Sequence, residues 1–136
     1  MKAMILAAGF GTRLNRLTAN TPKALVSIMG KPLLNVLLDK LIKSGFEEIA
    51  VNAHHESDQI SSFINNYKNE VSAKISLSYE PTILNTGGGI KRMLRFFSDN
   101  DPILVQNVDV LCDIDYSNLI EHHTNISSDC TLVVNR

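Results

Sequence analysis

The chain has 136 residues, 44% of them hydrophobic and 20% charged, and a formal net charge of −1. This length gives one domain able to bury a core, and a pI near 6.4 excludes the basic footprint that nucleic acid requires. With no apolar run near the roughly 20 residues that span a bilayer, and with Cys112 and Cys130 lacking metal-ligand spacing, the composition predicts no membrane partner and a cytoplasmic protein whose cysteines are reduced and half-buried.

The first predicted element is a strand at Ala3–Ala7. The apolar run from Met4 to Ala8 stops at Gly9, and Gly11, Thr12 and Arg13 follow at once. Lys2, the apolar run and its alanines imitate a signal peptide, but Arg13 and the glycines interrupt that pattern. A glycine-rich turn after a strand exposes backbone N–H groups with no Cβ in the way, which suits a phosphate. The same glycines also suit a plain strand-to-loop turn that only needs positive φ. Arg13 adds a planar, bidentate cation and Lys23, after Pro22, adds a point charge on a long stem. Two cations beside a bare backbone point to a polyphosphate ligand. The spacing G-x-x-x-x-G-K-[ST] is absent, and Leu14 stands where a dinucleotide fingerprint needs its third glycine.

Farther along, Leu33, Leu34, Leu37, Leu38, Leu41 and Ile42 mark one helix face, with Pro32 in the first turn and Gly45 as the stop. A strand at Glu48–Asn52 precedes His54-His55, adjacent residues whose rings point opposite ways and cannot readily share one ion. They are expected to give polar lining at a ligand's edge. Ile60, Phe63, Ile64 and Tyr67 mark a second helix, and Lys74–Tyr79 a third strand. Gly87, Gly88 and Gly89 then lead into a helix marked by Ile90, Met93, Leu94 and Phe97. The triple glycine either lets that helix start close to a ligand or is merely flexible. A fourth strand at Ile103–Asn107 ends near Asp109, which suits a metal site or an ordinary turn. Asp113 serves the turn, and Asp115 caps a helix carrying Tyr116, Leu119, Ile120 and His123 on one side. Cys130–Val134 reads as a last strand, whose exposed edge predicts self-association into a homo-oligomer.

Alternating strands and helices predict a mostly parallel sheet with helices on both faces. With the first strand central, strands two and three lie to one side and strand four to the other. Ligands bind at such a reversal, at the carboxyl ends of the strands. The Gly9–Arg13 loop then lies beside Asp109.

The string L-A-A-G-x-G-T-R-L from Leu6, followed by L-T and P-K-A-L, resembles the signature of the sugar-nucleotide nucleotidyltransferases, or nucleoside-diphosphate-sugar pyrophosphorylases. Leu84-Asn85-Thr86-Gly87-Gly88-Gly89-Ile90 is similar to the L-x-T-G-G-G-I of the branch that includes N-acetylmuramic acid 1-phosphate uridylyltransferase and mannose-1-phosphate guanylyltransferase-like proteins. Asn107-Val108-Asp109 stands where that family has its metal-binding N-x-D segment. Arg16, where proline is usual, and Val108, where glycine is common, depart from the pattern.

The resemblance implies a three-layer, Rossmann-like α/β fold with a mostly parallel sheet, of which residues 1–136 are the N-terminal portion. It makes them the nucleotide-binding half of a nucleotidyltransferase domain truncated at its C-terminal end, without most of the sugar pocket or a second metal-binding aspartate. The implied reaction transfers a nucleoside monophosphate from a nucleoside triphosphate to a sugar 1-phosphate, giving a nucleoside-diphosphate sugar and pyrophosphate. The alternative is a truncated nucleotide-binding module without turnover. UTP or GTP is the favoured donor, with the T-G-G-G branch tilting toward UTP. The nucleophile is already an anion, so positioning, charge neutralisation and a metal suffice. The backbone of Ala8, Gly9, Gly11 and Thr12 is expected to approach the nucleotide, and Arg13 to hold its β- and γ-phosphates. Lys23 neutralises the reacting phosphates, Thr86 and Gly87 border the base, and Asp109 binds Mg2+.

Overall fold

The N-terminal apolar run forms β1 (Lys2–Leu6) in the computed structural model, which describes residues 1–98 and 101–134. Three-ten turns at Thr12–Thr18 and Lys23–Leu25 follow, then a short hairpin of β2 (Ser27–Ile28) and β3 (Lys31–Pro32). Next come α1 (Leu33–Lys43), β4 (Glu48–Ala53), α2 (Ser57–Tyr67) and β5 (Lys74–Tyr79). After these lie α3 (Asn85–Met93), β6 (Ile103–Asn107) and α4 (Tyr116–Asn125). The sheet order is β5-β4-β1-β6, with every neighbouring pair parallel. The order in which strands join the sheet therefore reverses at β1, as the alternation of elements predicts.

Because side chains alternate across a strand, the central strands feed two separate apolar layers. Ala3, Ile5 and Ala7, with Ile49, Val51 and Ala53, meet the α1 leucines and Ile60 and Ile64 of α2. Met4 and Ala50 face the other way, onto Met93 of α3. Pro32 precedes α1 with φ −57°, and Gly45 ends it at φ +87°, a conformation that glycine adopts without steric cost. Asp115 caps α4, its Oδ1 accepting from the backbone N–H of Ser117 and Asn118.

Two expectations for the C-terminal stretch fail. Cys130–Val134 is not a strand. No strand among the described residues pairs with it, and local bonds occupy its start: Ser128 Oγ donates to the Cys130 carbonyl at 2.8 Å, and Thr131 Oγ1 lies 2.8 Å from His123 Nδ1. Leu132, Val133 and Val134 are exposed, so the sheet edges among the described residues belong to β5 and β6. Cys130 is exposed rather than half-buried, whereas Cys112 is partly buried as expected.

Tyr116 ties the start of α4 to the sheet. Its ring meets Phe46 edge-on at 5.8 Å, Lys40 Nζ lies 4.4 Å from the ring centroid, and its hydroxyl donates to Gln106 Oε1 at 2.5 Å. Burial pushes its phenol up to about 12, with the neighbouring Cys112 adding to the rise. An unfolded tyrosine ionises near pH 10. The folded state thus holds this proton longer, and the resulting stabilisation is complete below about pH 10 and lost as pH rises toward 12. Alkaline titration of phenolate absorbance is expected to show Tyr116 ionising late, and Tyr116→Phe is expected to flatten the fall in denaturant midpoint over that window.

Candidate active site

The carboxyl ends of the strands open into a cavity of about 310 Å3, the lower end of the size range of small-molecule sites. Leu6, Ala7, Ala8 and Gly9 form one wall, and Asn107, Val108 and Asp109 form the wall next to it. Asn52, Glu80, Ile83, Asn85 and Thr86 line the far side, and Lys23 stands at the loop side. This is the reversal point between β4 and β6, where two diverging connections leave a crevice.

Each wall follows from local chemistry. Gly9 has nothing within 4 Å of the position a Cβ would take, so its backbone is open to a ligand. Gly11 is at φ +65°, and a Cβ there would lie 3.0 Å from Lys23 Cβ and from Thr18 Cγ2. Its carbonyl accepts from Thr18 Oγ1 at 3.0 Å and from the Leu14 N–H at 2.9 Å. Glycine is required there both for conformation and for close approach. The loop can then rest on the Lys23 stem, and Pro22 starts the short turn that carries Lys23. Lys23 Nζ reaches across to Asp109 Oδ2 in an ion pair. Val108 is buried in the main core, and its N–H donates to the Leu6 carbonyl at 3.1 Å. That bond fixes the β6 end against the end of β1, from which the Ala8-Gly9 segment continues.

Of the residues singled out in the sequence, the fold brings Ala8, Gly9, Lys23, Thr86 and Asp109 to one cavity. Gly11 lies behind it as the support for Lys23. Thr12 is exposed at the start of its three-ten turn, and Gly87 is not on the cavity wall. The Arg13 side chain lies outside the described residues. The glycine triplet does not precede α3 but lies within it, because the helix begins at Asn85, itself at φ +56°. His54 and His55 are absent from the wall. Their rings brace Phe10 of the loop at 5.4 and 5.9 Å, and His54 Nδ1 donates to the Glu80 carbonyl at 2.7 Å.

Two wall residues escape a reading by motif. Asn52 Oδ1 accepts from the Ala7 N–H at 2.6 Å, and Asn52 Nδ2 donates to Glu80 Oε1 at 2.7 Å. Glu80 Oε2 accepts from the Leu84 N–H at 3.0 Å. The available signals were an asparagine next to the end of the Glu48–Ala53 strand and a glutamate directly after the next strand.

Among the described residues no group of three or more His, Cys, Asp or Glu could hold a metal by protein ligands alone. Asp109, a single carboxylate at the cavity rim, instead fits a hard cation that takes most of its oxygens from phosphate and water. Among the described residues no helix is long and apolar enough to cross a membrane.

The amino-acid sequence matches the nucleotidyl transferase family over residues 2–136. It is 31% identical over 136 residues to the mannose-1-phosphate guanylyltransferase catalytic subunit beta of Dictyostelium discoideum, covering all of this chain and 38% of that protein. HddC from Yersinia pseudotuberculosis, crystallised in complex with GMP-PN, is similar with a TM-score of 0.78 and 33% identity, over 90% of this chain and 53% of that one. A UDP-glucose pyrophosphorylase from Acinetobacter baumanii, 18% identical with a TM-score of 0.79, covers 93% of this chain and 53% of its own, and speaks to the fold alone. The chain thus spans 38% of the length of the curated relative it matches. With the family matched along almost every residue, and a parallel sheet whose switch point gathers the Ala8-Gly9 and Asn107-Val108-Asp109 segments, this chain belongs to the nucleotidyl transferase family.

Proposed function

We propose that the whole protein transfers a nucleoside monophosphate from a nucleoside triphosphate to a sugar 1-phosphate, releasing pyrophosphate, and that residues 1–136 are its nucleotide-binding half. The observation that carries this reading is the meeting of Lys23 and Asp109 at the rim of a cavity walled by Ala8 and Gly9 on one side and Thr86 on the other. GTP is the proposed donor and mannose 1-phosphate the proposed acceptor. The guanylyltransferase name of the Dictyostelium relative and the guanine nucleotide analogue in HddC support this choice over UTP.

The open backbone at Gly9, with Ala8 beside it on the cavity wall, offers N–H groups to the nucleotide, and Thr86 borders its base. Lys23 neutralises the phosphates between which the bond is exchanged, and Arg13 grips the departing β- and γ-phosphates in a bidentate fork. Asp109, with phosphate oxygens, would hold Mg2+, which supplies further charge neutralisation when bound. No protein base is needed because the attacking phosphate oxygen is already ionised. The rate enhancement then rests on orientation and electrostatics.

Calorimetric titration in the presence of magnesium is expected to show GTP binding more tightly than NAD or guanosine. Release of pyrophosphate from GTP and mannose 1-phosphate is expected of the whole protein, and separates an enzyme from a binding module. Equal or tighter binding of NAD would overturn the assignment.

A further inference from the structure

Asn52 and Glu80 are 3% and 0% exposed, yet neither belongs to the phosphate loop or to the N-x-D segment. Together they form one directed relay: Ala7 N–H to Asn52 Oδ1, Asn52 Nδ2–H to Glu80 Oε1, and Leu84 N–H to Glu80 Oε2. Ala7 lies just past the last residue of β1, so the Asn52 side chain supplies the acceptor that β4 no longer offers. At the other end, Leu84 is the residue from which α3 starts. The relay therefore joins the root of the Ala8-Gly9 wall to the root of the Thr86 wall.

Its polarity leaves little choice of residue. Asn52 must accept from Ala7, so it can only donate to position 80. Leu84 also donates to position 80. A side chain meeting two donors in opposite directions needs two acceptor oxygens, which a carboxylate has and a glutamine lacks. A buried carboxylate is tolerated when such donors surround it. Gly89 is shaped to the same pair, since a Cβ there would lie 2.7 Å from Asn52 Nδ2 and 2.9 Å from Glu80 Oε1.

We propose that Asn52 and Glu80 are a positioning pair whose hydrogen-bond polarity sets the separation of the two nucleotide-facing walls, with Gly89 present to leave room for it. The proposal rests on the nucleotidyltransferase reading for its consequence, but not for its geometry. Glu80→Gln must break one link, and in the whole protein it is expected to raise the KM for the triphosphate about tenfold or more, with kcat less affected. Asn52→Asp sets two carboxylates against each other, and a proton shared between them restores the missing donor as pH falls. Its KM is therefore expected to approach wild type near pH 5.5 and to worsen toward pH 8. The other titratable groups at hand are His54, on the Glu80 carbonyl, and Lys23 and Asp109 across the cavity. All three are unchanged in the variant, so the wild-type pH profile is the control.

A second measurement needs no nucleotide. Amide exchange at Ala7 and Leu84, each compared with wild type at the same pH, is expected to speed up in Asn52→Asp at high pH and to return at low pH. Wild-type amide protection and a wild-type KM profile in Asn52→Asp would overturn the proposal. Altered protection in a protein that binds no nucleotide would uphold the relay and refute the nucleotidyltransferase reading instead. If Glu80→Gln fails to fold, Gly89→Ala is the companion. It keeps both polar groups but pushes into them, and is expected to raise the same KM. An unchanged KM there would count against the pair.

Discussion

Asp109→Asn in the whole protein is expected to lower the proposed transferase turnover at least about a hundredfold, the scale of losing a main electrostatic stabiliser, while leaving thermal stability close to wild type. The carboxylate stands at the rim of the cavity, past the end of β6, with its side chain 37% exposed. The amide keeps the shape and can still accept from Lys23 Nζ. It removes only the charge that would hold a hard cation against the triphosphate. The measurement is kcat at saturating GTP over a magnesium titration. Near-normal turnover at saturating magnesium would take Asp109 out of the site.

Much of this site was legible because it lies where short-range patterns end. The four apolar strands and the leucine face of α1 follow from periodicity, and their alternation dictates a switch point beside β1. Position in that topology, not any motif alone, brings Lys23 and Asp109 together from residues 86 apart in the chain. What escaped the sequence is decided by tertiary contacts. Three successive glycines argue against a helix, at about 1 kcal/mol each. Residues 85–93 are helical all the same: Met93 packs on Met4 and Ala50, and Gly89 sits where a Cβ would run into Asn52 and Glu80. Asn52 and Glu80 look like ordinary strand-end residues, and only the folded chain shows that each satisfies the other. The β2–β3 hairpin consists of two-residue strands around Met29-Gly30, both at positive φ, too short to leave a periodic signal. Cys130–Val134 has strand composition, but β-propensity needs a neighbour to pair with.

The second large effect belongs to Lys23. Lys23→Met keeps the stem on which Gly11 rests and removes the ammonium, so kcat is expected to fall about a hundredfold with the loop still in place. Gly11→Ala reaches the same group from behind. It strains a φ of +65° and forces its methyl against Lys23 Cβ, so it is expected to cost about 1–2 kcal/mol of stability and to displace the lysine. The ion pair itself offers a plainer explanation, in which Lys23 and Asp109 merely neutralise each other on a half-exposed rim. Such pairs contribute little to stability, and removing both charges leaves neither uncompensated. On that account, Lys23→Met combined with Asp109→Asn would recover activity relative to either single change. If the two act on the bound triphosphate, the lysine directly and the aspartate through its cation, nothing is recovered. The double variant is then expected to be at least as slow as the slower single variant. A double-mutant cycle on kcat/KM, with thermal melts to confirm the fold, decides between them. Recovery in the double variant would return the pair to the scaffold.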